Sequence, residues 1–139
     1  AKDTQLSNAA VNAEADALAR LLDNGYRRIY SGTKPATADT ALSGNTLLAE
    51  LRFANPSAPA ASNGVLTFTL TADTSADNNG TATFYRDLKS DGTTVVLDGT
   101  VGATGSTSNL ELNTTTIVTG QQVAVTSATH TVNKSTSGY

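Results

Sequence analysis

Residues 84–102, "FYRDLKSDGTTVVLDGTVG", hold three carboxylates and two Asp-Gly pairs in a chain with no cysteine and one histidine. Asp91-Gly92 is a strong short-range hairpin signal. Taken as a two-residue type I′ turn, it sets Ser90 opposite Thr93, Leu88 opposite Val95, Asp87 opposite Val96, Arg86 opposite Leu97 and Tyr85 opposite Asp98. One face of that hairpin collects Ala82, Phe84, Arg86, Leu88, Val95, Leu97 and Val101. The other collects Thr83, Tyr85, Asp87, Lys89, Thr94, Val96, Asp98 and Thr100, which gives a core face and a wet face. Asp98-Gly99 is read as the end of the returning strand.

In this register Asp87 and Asp98 are diagonal neighbours on the wet face, with Cβ atoms ~7 Å apart. That separation alone does not exclude a glycosidase pair. Against such chemistry, Lys89 stands close enough to compensate charge, no apolar pocket is implied that would raise one pKa, and the chain has no tryptophan. The expectation is a structural hairpin with no catalytic residues, in a protein that is not an enzyme. Arg86 is the anomaly, a charge on the core face, expected to reach the sheet edge or to pair with a carboxylate such as Glu50.

Period-two alternation extends outward from the hairpin. Strands are read at residues 26–30, 47–53, 65–70, 81–88, 94–99, 110–112 and 122–132, separated by clusters of Gly, Pro, Asn, Asp and Ser. At 47–53, Leu47, Ala49, Leu51 and Phe53 share one face, and Glu50 and Arg52 share the other. Residues 7–25 are the one helix: Val11, Ala15, Leu18 and Leu22 form a stripe, Ser7 is the N-cap with Leu6 and Val11 as a hydrophobic staple, and Gly25 is the left-handed residue that ends it. The narrow, alanine-rich stripe predicts a helix lying on a sheet, the alternative being an arm docked on another subunit. The whole reads as one mainly β domain over 1–139: an N-terminal arm (1–6), the helix (7–25), an antiparallel β-sandwich (26–132) with eight strands in two sheets of a jelly roll as a possible count, and a C-terminal tail (133–139).

Composition narrows the function classes. Hydrophobic residues make up 38% of the 139, much of it alanine, and aromatics only 5%, so the core is thin and further burial against a partner would add to a small stability margin. A net charge of −3 gives no footprint for a phosphate backbone, so no nucleic acid is expected. The lack of cysteine removes disulfides and thiolate chemistry. No apolar run approaches the ~18 residues of a membrane span. "AKDTQLSN" lacks signal-peptide regions, so the sequons at Asn79, Asn113 and Asn133 are read as unmodified.

Three further features are weighed as chemistry and set aside. "DTSADNNG" (73–80) has the oxygen donors of a calcium loop, but its glycine falls at position eight and Phe84 takes the place of the bidentate glutamate. It is read instead as a polar hairpin loop closed by Asn79-Gly80, with no metal. His130 lies in an alternating strand without a nucleophile motif, and is read as a surface or intersheet residue. Arg27 and Arg28 look like a basic patch, but neighbouring strand residues face opposite ways.

The order of motifs carries more. A helix "AEADALARLLDNG" leads into "YRRIYSGTKPATADTA", "LLAELRFANPSA", "ADTSADNNGTATFYRDLKSDGTTVVLDGTVG" and "LELNTTTIVTGQQVAVTSATHTV". Over about residues 7–132 this resembles the capsid cement (decoration) proteins of tailed bacteriophages, and in size those of Bordetella podophages. "TATFYRDLKSDGTTVVLDGTVG" carries the resemblance most strongly; it departs at Phe84-Tyr85, where a tryptophan is common in such sequences. The resemblance implies a jelly-roll virion protein on the outer surface of an HK97-type capsid, a homodimer that bridges major capsid protein subunits, with no cofactor. Its rivals are a tail-associated or receptor-binding β-module and a small carbohydrate-active enzyme. The two terminal segments are the expected partner contacts, with Lys2, Leu6, Lys134 and Tyr139 as the residues that carry them.

Overall fold

A computed structural model describes residues 3–125 and 127–135. The chain is mainly β with a single helix near its N-terminus among the described residues. Helix α1 (Asn8–Leu22) begins where Ser7 accepts a hydrogen bond from the Ala10 amide, the N-cap arrangement that satisfies a free helical N–H. Its ending differs from expectation. Asn24, not Gly25, takes the left-handed conformation (φ 58°), and asparagine tolerates it because its short side chain adds little steric cost. Gly25 is needed for a different reason: a Cβ there would collide with the Leu88 carbonyl of the neighbouring strand.

Val11, Ala15, Ala19 and Leu22 form the buried face of α1, with Leu18 partly covered. The helix packs on strand β3 (Val65–Thr67) of its own chain. Its polar side strengthens that docking. Asn12, Asp16 and Asp23 accept backbone N–H groups of Gly64, Ala61 and Ser57 at 2.8, 2.8 and 2.7 Å, strapping down the connection that follows the second strand.

The main sheet has six strands in the order β4-β2-β1-β6-β7-β8, where β1 is Tyr26–Tyr30, β2 Leu47–Phe53, β4 Leu70–Thr71, β6 Phe84–Leu88, β7 Val95–Ala103 and β8 Leu110–Leu112. Neighbours are antiparallel except β7 and β8, which run parallel, a departure from the all-antiparallel expectation. Two ribbons accompany it: β3 with β10 (Thr129–Thr131), and β5 (Gly80–Thr81) with β9 (Thr116–Ile117).

The ten strands among the described residues agree with the sequence reading at 26–30, 47–53 and 110–112. They cut 65–70 and 81–88 in two and shrink 122–132 to three residues. The returning strand β7 continues past Asp98-Gly99 to Ala103. Residues 73–80 close no hairpin, because β4 pairs with β2 and β5 with β9. Asp73 instead accepts the Glu50 amide at 2.8 Å and forms a bridge with Val123.

The hairpin itself departs most. Lys89 N–H bonds the Thr94 carbonyl across a four-residue loop, and a bulge between Asp87 and Leu88 shifts the ladder. Leu88 still faces Val95. Beyond it Asp87 faces Leu97, Arg86 faces Asp98, Tyr85 faces Gly99 and Phe84 faces Thr100, one step from the expected pairing. A one-residue shift changes which side chains share a face.

The inner face carries Arg27, Ile29, Ala49, Leu51, Phe53, Tyr85 and Asp87, as the β1 ladders align them. It packs under α1 and the β3–β10 ribbon at one end, through Phe53, Leu66, Phe68 and Ala128, and under Ala76, Ile117 and Val123 at the other. The Phe53 and Phe68 rings meet edge-on at 5.2 Å. Leu70, Leu97 and Val125 join the two clusters into one core.

Candidate functional site

Charged groups in the centre of the sheet are the most distinctive chemistry of the fold. Arg27 lies opposite Asp87 in the β1–β6 ladder, and its Nε and Nη2 donate to the two Asp87 carboxylate oxygens at 2.8 Å each. The pair is sealed: Arg27 is 2% exposed and Asp87 0%. Three rings surround the guanidinium, Tyr85 at 4.0 Å and Phe53 and Phe68 at 5.4 and 5.8 Å from the ring centres. Each cation–ring approach adds attraction that grows as water is excluded. Burial pushes the Asp87 carboxyl up from its ordinary value, opposed by the adjacent guanidinium. Burial also raises the Tyr85 phenol, again against Arg27.

His130, on β10 opposite Leu66, feels this pair from the covering layer. Burial lowers its pKa, and the Asp87 charge partly restores it. The sequence reading of a surface or intersheet histidine corresponds here to a half-buried place on the β3–β10 ribbon.

On the outer face, Arg86 donates from Nε and Nη2 to the two oxygens of Asp98 at 2.7 and 2.9 Å, and Nη2 also reaches the Thr40 carbonyl at 2.8 Å. Both side chains are 5% exposed or less. The anomalous arginine therefore pairs with Asp98, while Glu50 pairs with Arg28 at 2.7 Å. Asp87 and Asp98 are not neighbours on a wet face: successive residues Arg86 and Asp87 point to opposite sides, and Asp98 goes with Arg86. Arg27, not Lys89, compensates Asp87. The physical cause is the bulge, which no residue type in "LKSDGTTVV" marks.

Asp91 organises the loop between these strands. Its carboxylate accepts the Thr93 and Thr94 amides at 2.8 Å each and the Thr94 hydroxyl, which holds its pKa well below the usual carboxylate range. No protein-family model, curated protein or solved structure matches the chain.

One concave region is polar and already knitted together. A groove of about 340 Å³ runs beside β8, lined by Ser108, Asn109, Glu111, Asn113, Ser127 and Thr129 among others. Its Glu111 takes the Gly105 and Thr107 amides at 3.1 and 2.9 Å, and Asn109 takes the Thr100 amide at 3.0 Å. Among the described residues there is no cluster of three or more His, Cys, Asp or Glu side chains spaced for a metal ion, and no helix long and apolar enough to cross a membrane.

Of the four expected contact residues, the fold brings two together. The Leu6 amide donates to the Lys134 carbonyl at 2.8 Å, and Gln5 forms a bridge with Ser135 beside it. Lys2 and Tyr139 lie outside the described residues. Sequence reasoning missed the Arg27–Asp87 pair, whose members are 60 positions apart, and the outer-face grouping of Tyr26, Arg28 and Arg52. The latter left a usable signal: Tyr26, Arg28 and Tyr30 alternate in one strand as Glu50 and Arg52 do in the next.

Proposed function

We propose that the chain is a structural virion protein of a tailed bacteriophage, one that binds the outside of an HK97-type capsid as a homodimer and cements neighbouring major capsid protein subunits around the packaged DNA. The observation that carries this reading is the fate of the segment with the strongest resemblance. In residues 81–102 all three carboxylates are engaged in framework bonds, Asp87 with Arg27, Asp98 with Arg86 and Asp91 with its own loop. A segment used in this way supports a rigid tile, with none of the three carboxylates left free to act as acid or base. We read the six-stranded sheet and the ribbons over its inner face as the two layers of a jelly-roll sandwich, a finer architecture than the ladders alone define.

Cementing needs many modest contacts across subunit junctions, where multivalency converts weak binding into retention. The converged ends at Leu6 and Lys134 offer one place for them. Purified heads should carry the protein in many copies on the capsid exterior, and particles lacking it should release DNA at a lower temperature. Absence from heads, or a few copies at the tail alone, would overturn the proposal and favour a tail-associated module. Deleting residues 133–139 should lower capsid occupancy; unchanged occupancy refutes the role of that arm.

A further inference from the structure

The outer face of the main sheet is covered only in part. The connection from residue 31 to 46 lies over it at Arg86, through the Thr40 carbonyl, and there Tyr30 and Phe84 stack at 5.3 Å with exposures of 6% and 0%. At the other end of β1 the same face is open: Tyr26 and Arg28 are half-buried and Arg52 is exposed. The Arg52 guanidinium sits 4.1 Å from the Tyr26 ring centre and the Arg28 guanidinium 5.4 Å from it, so one ring is flanked by two cations.

These cations are not equally neutralised. Arg28 binds Glu50 at 2.7 Å and the Gly92 carbonyl at 3.1 Å. Arg52 donates to the Asn24 carbonyl at 3.0 Å, and among the described residues no carboxylate lies within ion-pair distance of it. An uncompensated positive charge is thus held in place on a chain whose net charge is −3. A guanidinium fixed against a ring and a carbonyl has already lost much of the freedom that binding would remove. Tyrosine and arginine are also the residues enriched in protein–protein interfaces.

We propose that Arg52, with Tyr26 and Arg28, is a docking surface for an acidic side chain of the capsid shell; this rests on the capsid-binding reading above. The occupant is a single carboxylate, not a phosphate backbone, for two reasons. Glu50 beside the patch and the acidic chain as a whole repel a row of phosphates, whereas one carboxylate matches the one unpaired charge and can be gripped as Arg28 grips Glu50.

The test is a binding titration of the full chain on capsids stripped of it, at low and physiological salt, with wild type, Arg52→Ala, Arg52→Lys and, as a control cation elsewhere, Arg20→Ala. Arg52→Ala should bind about tenfold more weakly at low salt and lose most of the salt dependence. Arg52→Lys should recover only part of this, since an ammonium neither stacks nor forks, and Arg20→Ala should match wild type. Arg52→Ala binding like wild type at both salts overturns this proposal while leaving the capsid reading intact. Failure of wild type to bind ends both. Loss of the dimer in Arg52→Ala by sedimentation, or retention of wild type but not Arg52→Ala on duplex DNA at physiological salt, would assign the patch to another partner and overturn it.

Discussion

Replacing Asp87 by Asn keeps the shape of the side chain and removes its charge. The Arg27 guanidinium, 2% exposed and enclosed by Tyr85, Phe53 and Phe68, is then a buried cation without its carboxylate. Breaking a buried pair from one side costs about 3–5 kcal/mol, against a total stability of about 5–15 kcal/mol. For a chain of this length that is a fall in Tm of about 10–15 °C. The companion is the double variant Arg27→Met, Asp87→Leu, which removes both charges and places a thioether among three aromatic rings. Swapping a whole buried pair for apolar side chains of similar volume is neutral or stabilising by about 1–4 kcal/mol. Urea unfolding at neutral pH measures both, and the double variant should be at least about 3 kcal/mol more stable than Asp87→Asn. A loss below about 1 kcal/mol for Asp87→Asn, or a double variant no better than the single, would refute the claim that this pair is desolvated and mutually dependent.

The same variant has a second readout: without the Asp87 charge, His130 should titrate still further below 6.5, as seen by NMR, and an unchanged value would mean the two do not interact. Because the folded-state pKa of His130 is depressed, its contribution to stability is present above 6.5 and is lost as pH falls through the lower folded value. Asp91, also depressed in the folded state, contributes stability above about 3.8 that is lost on acidification below it; Asp91→Asn should therefore show a shallower fall in Tm between neutral pH and acid, and parallel curves would count against the loop bonds. Arg86→Leu strands the buried Asp98 and frees the Thr40 carbonyl, so it should cost about 3–5 kcal/mol and open residues 37–41 to proteolysis; a more stable protein would remove any special role for Arg86. Gly25→Ala drives a methyl group into the Leu88 carbonyl, with the Leu22 carbonyl oxygen 2.9 Å away, and should cost about 2 kcal/mol by denaturation, whereas a neutral effect would show that the helix–strand approach is loose.

Much of the local structure follows from local chemistry. Ser7 caps the helix because a hydroxyl three residues before a free amide can reach it, and the alternation in 26–30 and 47–53 reads correctly because those strands are short and bounded by turn residues. Residues 122–132 alternate just as well, yet among the described residues of that stretch only 129–131 joins a strand ladder, with Val123 held by an isolated bridge to Asp73, since a strand is completed by its neighbour and not by its own pattern. Gly25 reads as a helix stop, while its actual constraint comes from a carbonyl 63 positions away in sequence, at Leu88. The opposite orientations of Arg27 and Arg28 were legible from period two, but their carboxylates were not.

Local patterning alone is enough for a mainly β domain with one capped helix, a thin core and a hairpin around Asp91-Gly92. Tertiary pairing settles the rest: Asp87 meets Arg27 on the inner face through the regular β1–β6 ladder, an extra residue in β7 at Val96 brings Asp98 to the side of Arg86, and Arg52 is left without a carboxylate on an open sheet face. The reason is geometric. Propensity and alternation act over a few residues, whereas charge pairing depends on register, and one extra residue in a ladder reverses the face on which every later side chain falls.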